Sequence, residues 1–106
     1  MKVDILGTQY EVKQANKTND VNLETCDGYC DTTTKEIIIG TFTPCTGSLK
    51  DLGEYEKKLT RHEIVHAFLY ESGLAHNSWA SNEEIVDWVA IQFNKLVKAF
   101  EETECL

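Results

Sequence analysis

The chain reads as an α+β domain, a small and mainly antiparallel sheet of three or four strands packed against two long helices. Three observations predict it. Period-two apolar alternation and the run Ile37, Ile38, Ile39 lie in the first half of the 106 residues, and helical-period apolar stripes fill the second. The only proline, Pro44, falls with Gly47 between the two halves. Residues 1–106 are read as one domain, with 1–48 mainly strands and loops, a helix over 51–73 and a second over 81–100.

Val3, Ile5, Tyr10 and Val12 alternate within residues 3–13, broken by Gly7 and Thr8, which predicts a short hairpin or a bent strand. Residues 14–24 are polar and rich in Asn and Asp, a loop with room for one helical turn. Residues 29–32 pair through a turn near 33–35 with residues 36–40, whose three consecutive isoleucines mark a buried strand. Leu52, Tyr55, Leu59, His62, His66 and Leu69 then form a stripe at helical spacing, closed by Gly73 as a left-handed terminator. Ser81 to Glu84 has the form S-x-x-E of a capping box, with Ser81 as cap and Glu84 reaching back. It opens an amphipathic helix carrying Ile85, Trp88, Val89, Phe93, Leu96, Val97 and Phe100. A short link makes the two helices close, roughly antiparallel neighbours.

Composition narrows the function classes. A hydrophobic content of 42% is that of a globular chain, and a net charge of −8 argues against nucleic acid, whose phosphates are held by clustered Lys and Arg. No apolar run approaches the roughly 20 residues of a membrane span, and residues 1–10 lack the continuous apolar region of a signal peptide. The expected setting is cytoplasmic, with no membrane partner and with a monomer as the plausible state. Four cysteines, at 26, 30, 45 and 105, then favour free thiols over disulfides. Two other uses are weighed for them: a structural zinc on Cys26, Cys30 and Cys45, and Cys105 swinging over a metal as a latency switch.

His62, Glu63, Ile64, Val65 and His66 spell HExxH. Four residues cover slightly more than one helical turn, so both imidazoles leave the same face and can hold one metal ion together. In sites of this type the histidines bind Zn²⁺ and the glutamate is the general base on water. Two histidines in an apolar seam are costly unless satisfied, and a metal satisfies both. A third ligand is sought on the next helix. With Glu84 in the capping box, Glu83 is left free, and Glu83 and Asp87 share one face four residues apart, so helix packing can aim one carboxylate at the metal and the other at a ligand histidine. Glu84 replaces Glu83 if the helix begins one residue later. A histidine ten residues after His62 would define another zinc class, but that position is Ser72. His76, between the helices, is a candidate ligand, or an oxyanion or substrate contact.

HEIVH at 62–66 followed by NEEIVD at 82–87 resembles the gluzincin pattern of thermolysin-like zinc peptidases. The spacing is closest to the very small gluzincins, the minigluzincins, and more distantly to the small peptidases of mobile elements, the ImmA/IrrE group. The resemblance covers about 30 residues. It implies a minimal zincin-like catalytic domain binding one zinc ion through His62, His66 and Glu83. Glu63 would be the base and Asp87 would orient an imidazole. It also implies a peptide or protein substrate paired with an exposed edge strand within residues 29–39. The expected activity is therefore that of a zinc metallopeptidase. The competing expectation is a regulatory or interaction module that keeps a structural metal and cuts nothing.

Overall fold

The computed structural model describes residues 1–74 and 78–106. Four strands, β1 (Lys2–Ile5), β2 (Thr8–Ala15), β3 (Gly28–Asp31) and β4 (Glu36–Gly40), precede two helices of 20 residues each, α1 (Leu52–Glu71) and α2 (Glu83–Glu102). Short 3-10 turns occupy Val21–Glu24 and Trp79–Ser81. The fold is the expected α+β arrangement, with one pairing the local pattern did not announce. The sheet order is β1-β2-β4-β3, and β2 runs parallel to β4 while the other two pairings are antiparallel.

Each turn has a local cause. Leu6 and Gly7 both take positive φ, as a two-residue hairpin between right-twisted strands requires. Between β3 and β4 the Asp31 carboxylate accepts from the Thr33 and Thr34 main-chain N–H groups at 2.9 and 3.2 Å, closing an Asx-type turn. Asp51 caps α1 by accepting from Glu54 N at 2.9 Å. At the other end Gly73, at φ 87°, donates to the Tyr70 carbonyl while Leu74 donates to that of Leu69. That paired closure is the expected left-handed termination.

The start of α2 differs from expectation. Asn82, not Ser81, is the cap and accepts from Ile85 N at 3.1 Å. The Ser81 hydroxyl instead donates to the Ser78 carbonyl within the preceding 3-10 turn, at 2.8 Å. No capping box forms, and Glu83 becomes the first helical residue.

One face of the sheet carries Ile5, Tyr10, Ile37 and Ile39, all essentially inaccessible, and α1 lies across it through Leu59 and Ala67. Burying each large side chain contributes roughly 1.5–3 kcal/mol. Ile38, at the odd register, points to the opposite face, so the isoleucine run is buried on both sides. The core-facing line of α1 is Tyr55, Leu59, Glu63 and Ala67. His62 and His66 lie to one side of it, so the seam read from sequence is turned by part of a helical step. The second helix packs on α1 beside those histidines, through Val86 and Ala90. Ile85, Trp88, Phe93 and Phe100 remain exposed, so α1 covers only part of the apolar arc of α2. Among the described residues no helix is long and apolar enough to cross a membrane.

Candidate metal centre

α1 presents His62 and His66 at the boundary between its sheet-facing and α2-facing sides, with ring centroids 4.8 Å apart. α2 brings Glu83 up from its first turn and Asp87 one turn later. His62 Nε2 lies 2.9 Å from Glu83 Oε2, His66 Nε2 lies 3.1 Å from Glu83 Oε1, and the two Nε2 atoms stand 3.1 Å apart. Among the described residues these three are the one group of His, Cys, Asp and Glu side chains that could hold a metal ion. The tertiary fold thus brings together the ligand set expected from sequence, and Glu84 stays outside it.

The chemistry of the donors fits a cation. The Asp87 carboxylate can only accept, so His62 Nδ1, at 3.1 Å, carries the proton in that contact. In a neutral ring the lone pair then lies on Nε2, facing the Glu83 carboxylate and the other imidazole. Lone pairs aimed at one another need a further proton or a cation between them. The donor separations of 2.9–3.1 Å are a few tenths of an ångström under the roughly 3.3–3.6 Å edges of a tetrahedral site with bonds of about 2.0–2.2 Å, so a small outward shift of the three side chains would admit an ion.

Asp87 itself is shared. Burial pushes its carboxyl up, but hydrogen bonds from Lys58, at 3.1 Å, and His62 outweigh this and hold it below the usual range. On the next turn of α2 the Ala90 carbonyl accepts from Arg61 Nε at 2.6 Å, pinning the two helices together beside the site.

Glu63 is the one buried charged residue among those described, at 5% exposure. It faces a cleft of about 660 Å³ that runs between β3 and α1 and reaches His62, His66 and Glu83. Burial raises its carboxyl pKa; the neighbouring His66 and His62 oppose that, and Glu83 adds to it. No described group donates a hydrogen bond to this carboxylate. Its oxygens open to the cleft rather than being sealed in the core, so the carboxylate is free to meet whatever enters there.

β3 forms the other wall. Leu59 lies against Gly28, where a Cβ would come within 3.3 Å of its side chain, and Cys30 feels the charge of Glu63, so β3 and α1 run in the same direction along the cleft. Tyr55 and Asp27 close the upstream end, joined by a hydrogen bond from the tyrosine hydroxyl to the carboxylate. Leu69, Tyr70, Leu74 and Ala80 line the downstream end. Sequence reasoning missed Asp27 and Tyr55; the only signal was that Tyr55 stands two turns before His62 on the same helix.

Other expectations fare differently. Cys26 and Cys30 line the cleft, Cys45 is exposed, and all are free thiols that do not assemble into a metal group. Cys105 follows the C-terminal end of α2, about 30 Å of helix away from Glu83, so it is not a switch over the metal group in this fold. His76 lies outside the described residues. No family model matches the chain, and the searches of curated proteins and solved structures yield no match either.

Proposed function

We propose that the protein is a zinc-dependent peptidase of the small gluzincin kind, hydrolysing peptide bonds in a cytoplasmic setting. The observation that carries this reading is Glu63, a buried carboxylate with no protein donor among the described residues, opening into the same cleft as His62, His66 and Glu83. His62, His66 and Glu83 would hold the ion. Bound there, zinc supplies a Lewis acid that polarises the scissile carbonyl and acidifies water. Glu63 takes the proton from the attacking water and delivers it to the leaving amine. Asp87 holds the His62 ring in the tautomer that leaves Nε2 bare.

The cleft offers a place for an extended chain. Gly40 N donates to the Asp27 carbonyl at 2.8 Å, so by antiparallel alternation Tyr29 and Asp31 bond to β4, while Gly28 and Cys30 turn their main-chain groups to the outer edge. The Gly28 carbonyl and both main-chain groups of Cys30 are left for a substrate strand. Three protein donors also favour catalysis over a structural site, which is usually closed by four.

The test is metal content together with cleavage of a peptide library by the wild type and Glu63→Gln. The variant should bind zinc as the wild type does and lose about 10²–10⁴-fold in turnover. Full activity in Glu63→Gln would remove the base assignment.

A further inference from the structure

We propose that Asp27 is a specificity residue, selecting peptides with a lysine or arginine about three residues from the bond that is cut. The proposal rests on the peptidase reading for the word cut, but its binding half stands on Asp27 alone.

Asp27 lines the upstream end of the cleft, and no lysine or arginine is among the cleft's lining residues. Its carboxylate is held in place by the Tyr55 hydroxyl rather than by a cation. Three other carboxylates that are anchored by hydrogen bonds do carry a lysine: Glu36 has Lys13, Glu71 has Lys35 and Asp87 has Lys58. Lys58 stands over the Tyr55 ring, 5.4 Å from its centroid, but its ammonium bonds to Asp87. Among the described residues no basic side chain forms an ion pair with Asp27. Tyr55, which reads Asp27's charge through its own phenol, is pushed up to about 12, with burial as the largest cause and the bond to Asp27 next.

The distance follows from the helix. Tyr55 and His62 are seven residues apart on α1, about 10 Å along its axis. A peptide lying extended beside β3 advances about 3.3 Å per residue, so roughly three residues separate the metal group from Asp27. A long basic side chain at that position would meet a fixed, uncompensated carboxylate, and an acidic one would meet like charge.

The experiment uses the full chain loaded with zinc and peptides that differ only in Lys, Ala or Glu at the third residue on either side of the cleaved bond. Binding is read by fluorescence anisotropy on Glu63→Gln, and cleavage as kcat/KM on the wild type. Because Asp27 is exposed, the expected preference for Lys over Glu is about fivefold, shrinking in high salt. Asp27→Asn keeps an acceptor for Tyr55 and should abolish the preference; Asp27→Lys should invert it. Retention of the Lys preference in Asp27→Asn, or charge-blind binding by the parent, overturns the assignment. Charge-selective binding with no cleavage anywhere supports Asp27 as the selector while removing the peptidase reading; cleavage indifferent to charge removes Asp27 and leaves that reading standing.

Discussion

His62 Nδ1 and Asp87 Oδ1 lie 3.1 Å apart, one on each of the two long helices, and this contact decides which nitrogen of His62 faces Glu83 and the candidate metal site. The carboxylate accepts at Nδ1, so Nε2 is presented bare towards Glu83. Asp87→Asn keeps the shape but allows an amide N–H to face the ring, and the preferred tautomer is lost. Zinc affinity in Asp87→Asn should fall about 10–100-fold, measured by competition with a fluorescent chelator. Glu83→Ala, which removes a donor outright, should lose more than Asp87→Asn. An order of loss reversed between the two would contradict the ligand assignment.

Thiol chemistry separates Cys30 from Cys45 and Cys105. Burial, followed by the charge of Glu63 and then of Asp31, pushes the Cys30 thiol up to about 12. At pH 8 only about a ten-thousandth of it would be thiolate, the form that reacts. Cys45 and Cys105 are exposed. Alkylation by iodoacetamide, followed by mass spectrometry, should label Cys45 and Cys105 in the folded protein and reach Cys30 only after denaturation. Early labelling of Cys30 would place it outside the sheet–helix packing.

Acid stability should depend on the far end of α1. Burial pushes the Glu71 carboxyl up, but hydrogen bonds from Lys35, Thr8 and Tyr10 outweigh it and hold the carboxyl below its ordinary value of 4.5. Lys35 Nζ and Tyr10 Oη both reach Glu71 Oε2 at 3.2 Å. A depressed folded-state pKa gives stability that is present above 4.5 and is lost as pH falls below it through the folded value. Tm measured between pH 7 and pH 3 should therefore drop below pH 4.5, and Glu71→Gln should flatten part of that drop. An identical pH profile for the variant would show that the cluster contributes nothing.

The core offers a plain check on the fold. Ile37 is fully buried beneath α1, between β2 and β3. Ile37→Ala should cost about 2–5 kcal/mol, read from urea unfolding followed by circular dichroism. A loss under 0.5 kcal/mol would be the cost of a surface substitution and would argue against this packing.

Sequence determined a great deal here because the signals are local. Gly7, Asp31, Asp51 and Gly73 set their turns and helix ends through bonds to residues a few positions away, and the isoleucine run declares burial by itself. HExxH fixes two imidazoles and a carboxylate on one helix by geometry alone. The cap of α2 falls one residue after the expected Ser81 because Ser81 and Asn82 are both competent caps, and the preceding 3-10 turn engages the serine hydroxyl.

What the chain determined by itself is the set of helices and turns and the pairing of His62 with His66 on one helical face, since each depends on contacts within about four residues; that Glu83 meets them depends on helix packing. Tertiary structure alone decided that β2 and β4 run parallel, that Glu63 rather than a histidine sits on the core-facing line of α1, and that Asp27 meets Tyr55 across the cleft. Those relationships join residues 28 apart for Asp27 and Tyr55 and similarly distant elsewhere, and no local propensity encodes them. They arise from the one packing of helix on sheet that buries Ile5, Tyr10, Ile37 and Ile39 together.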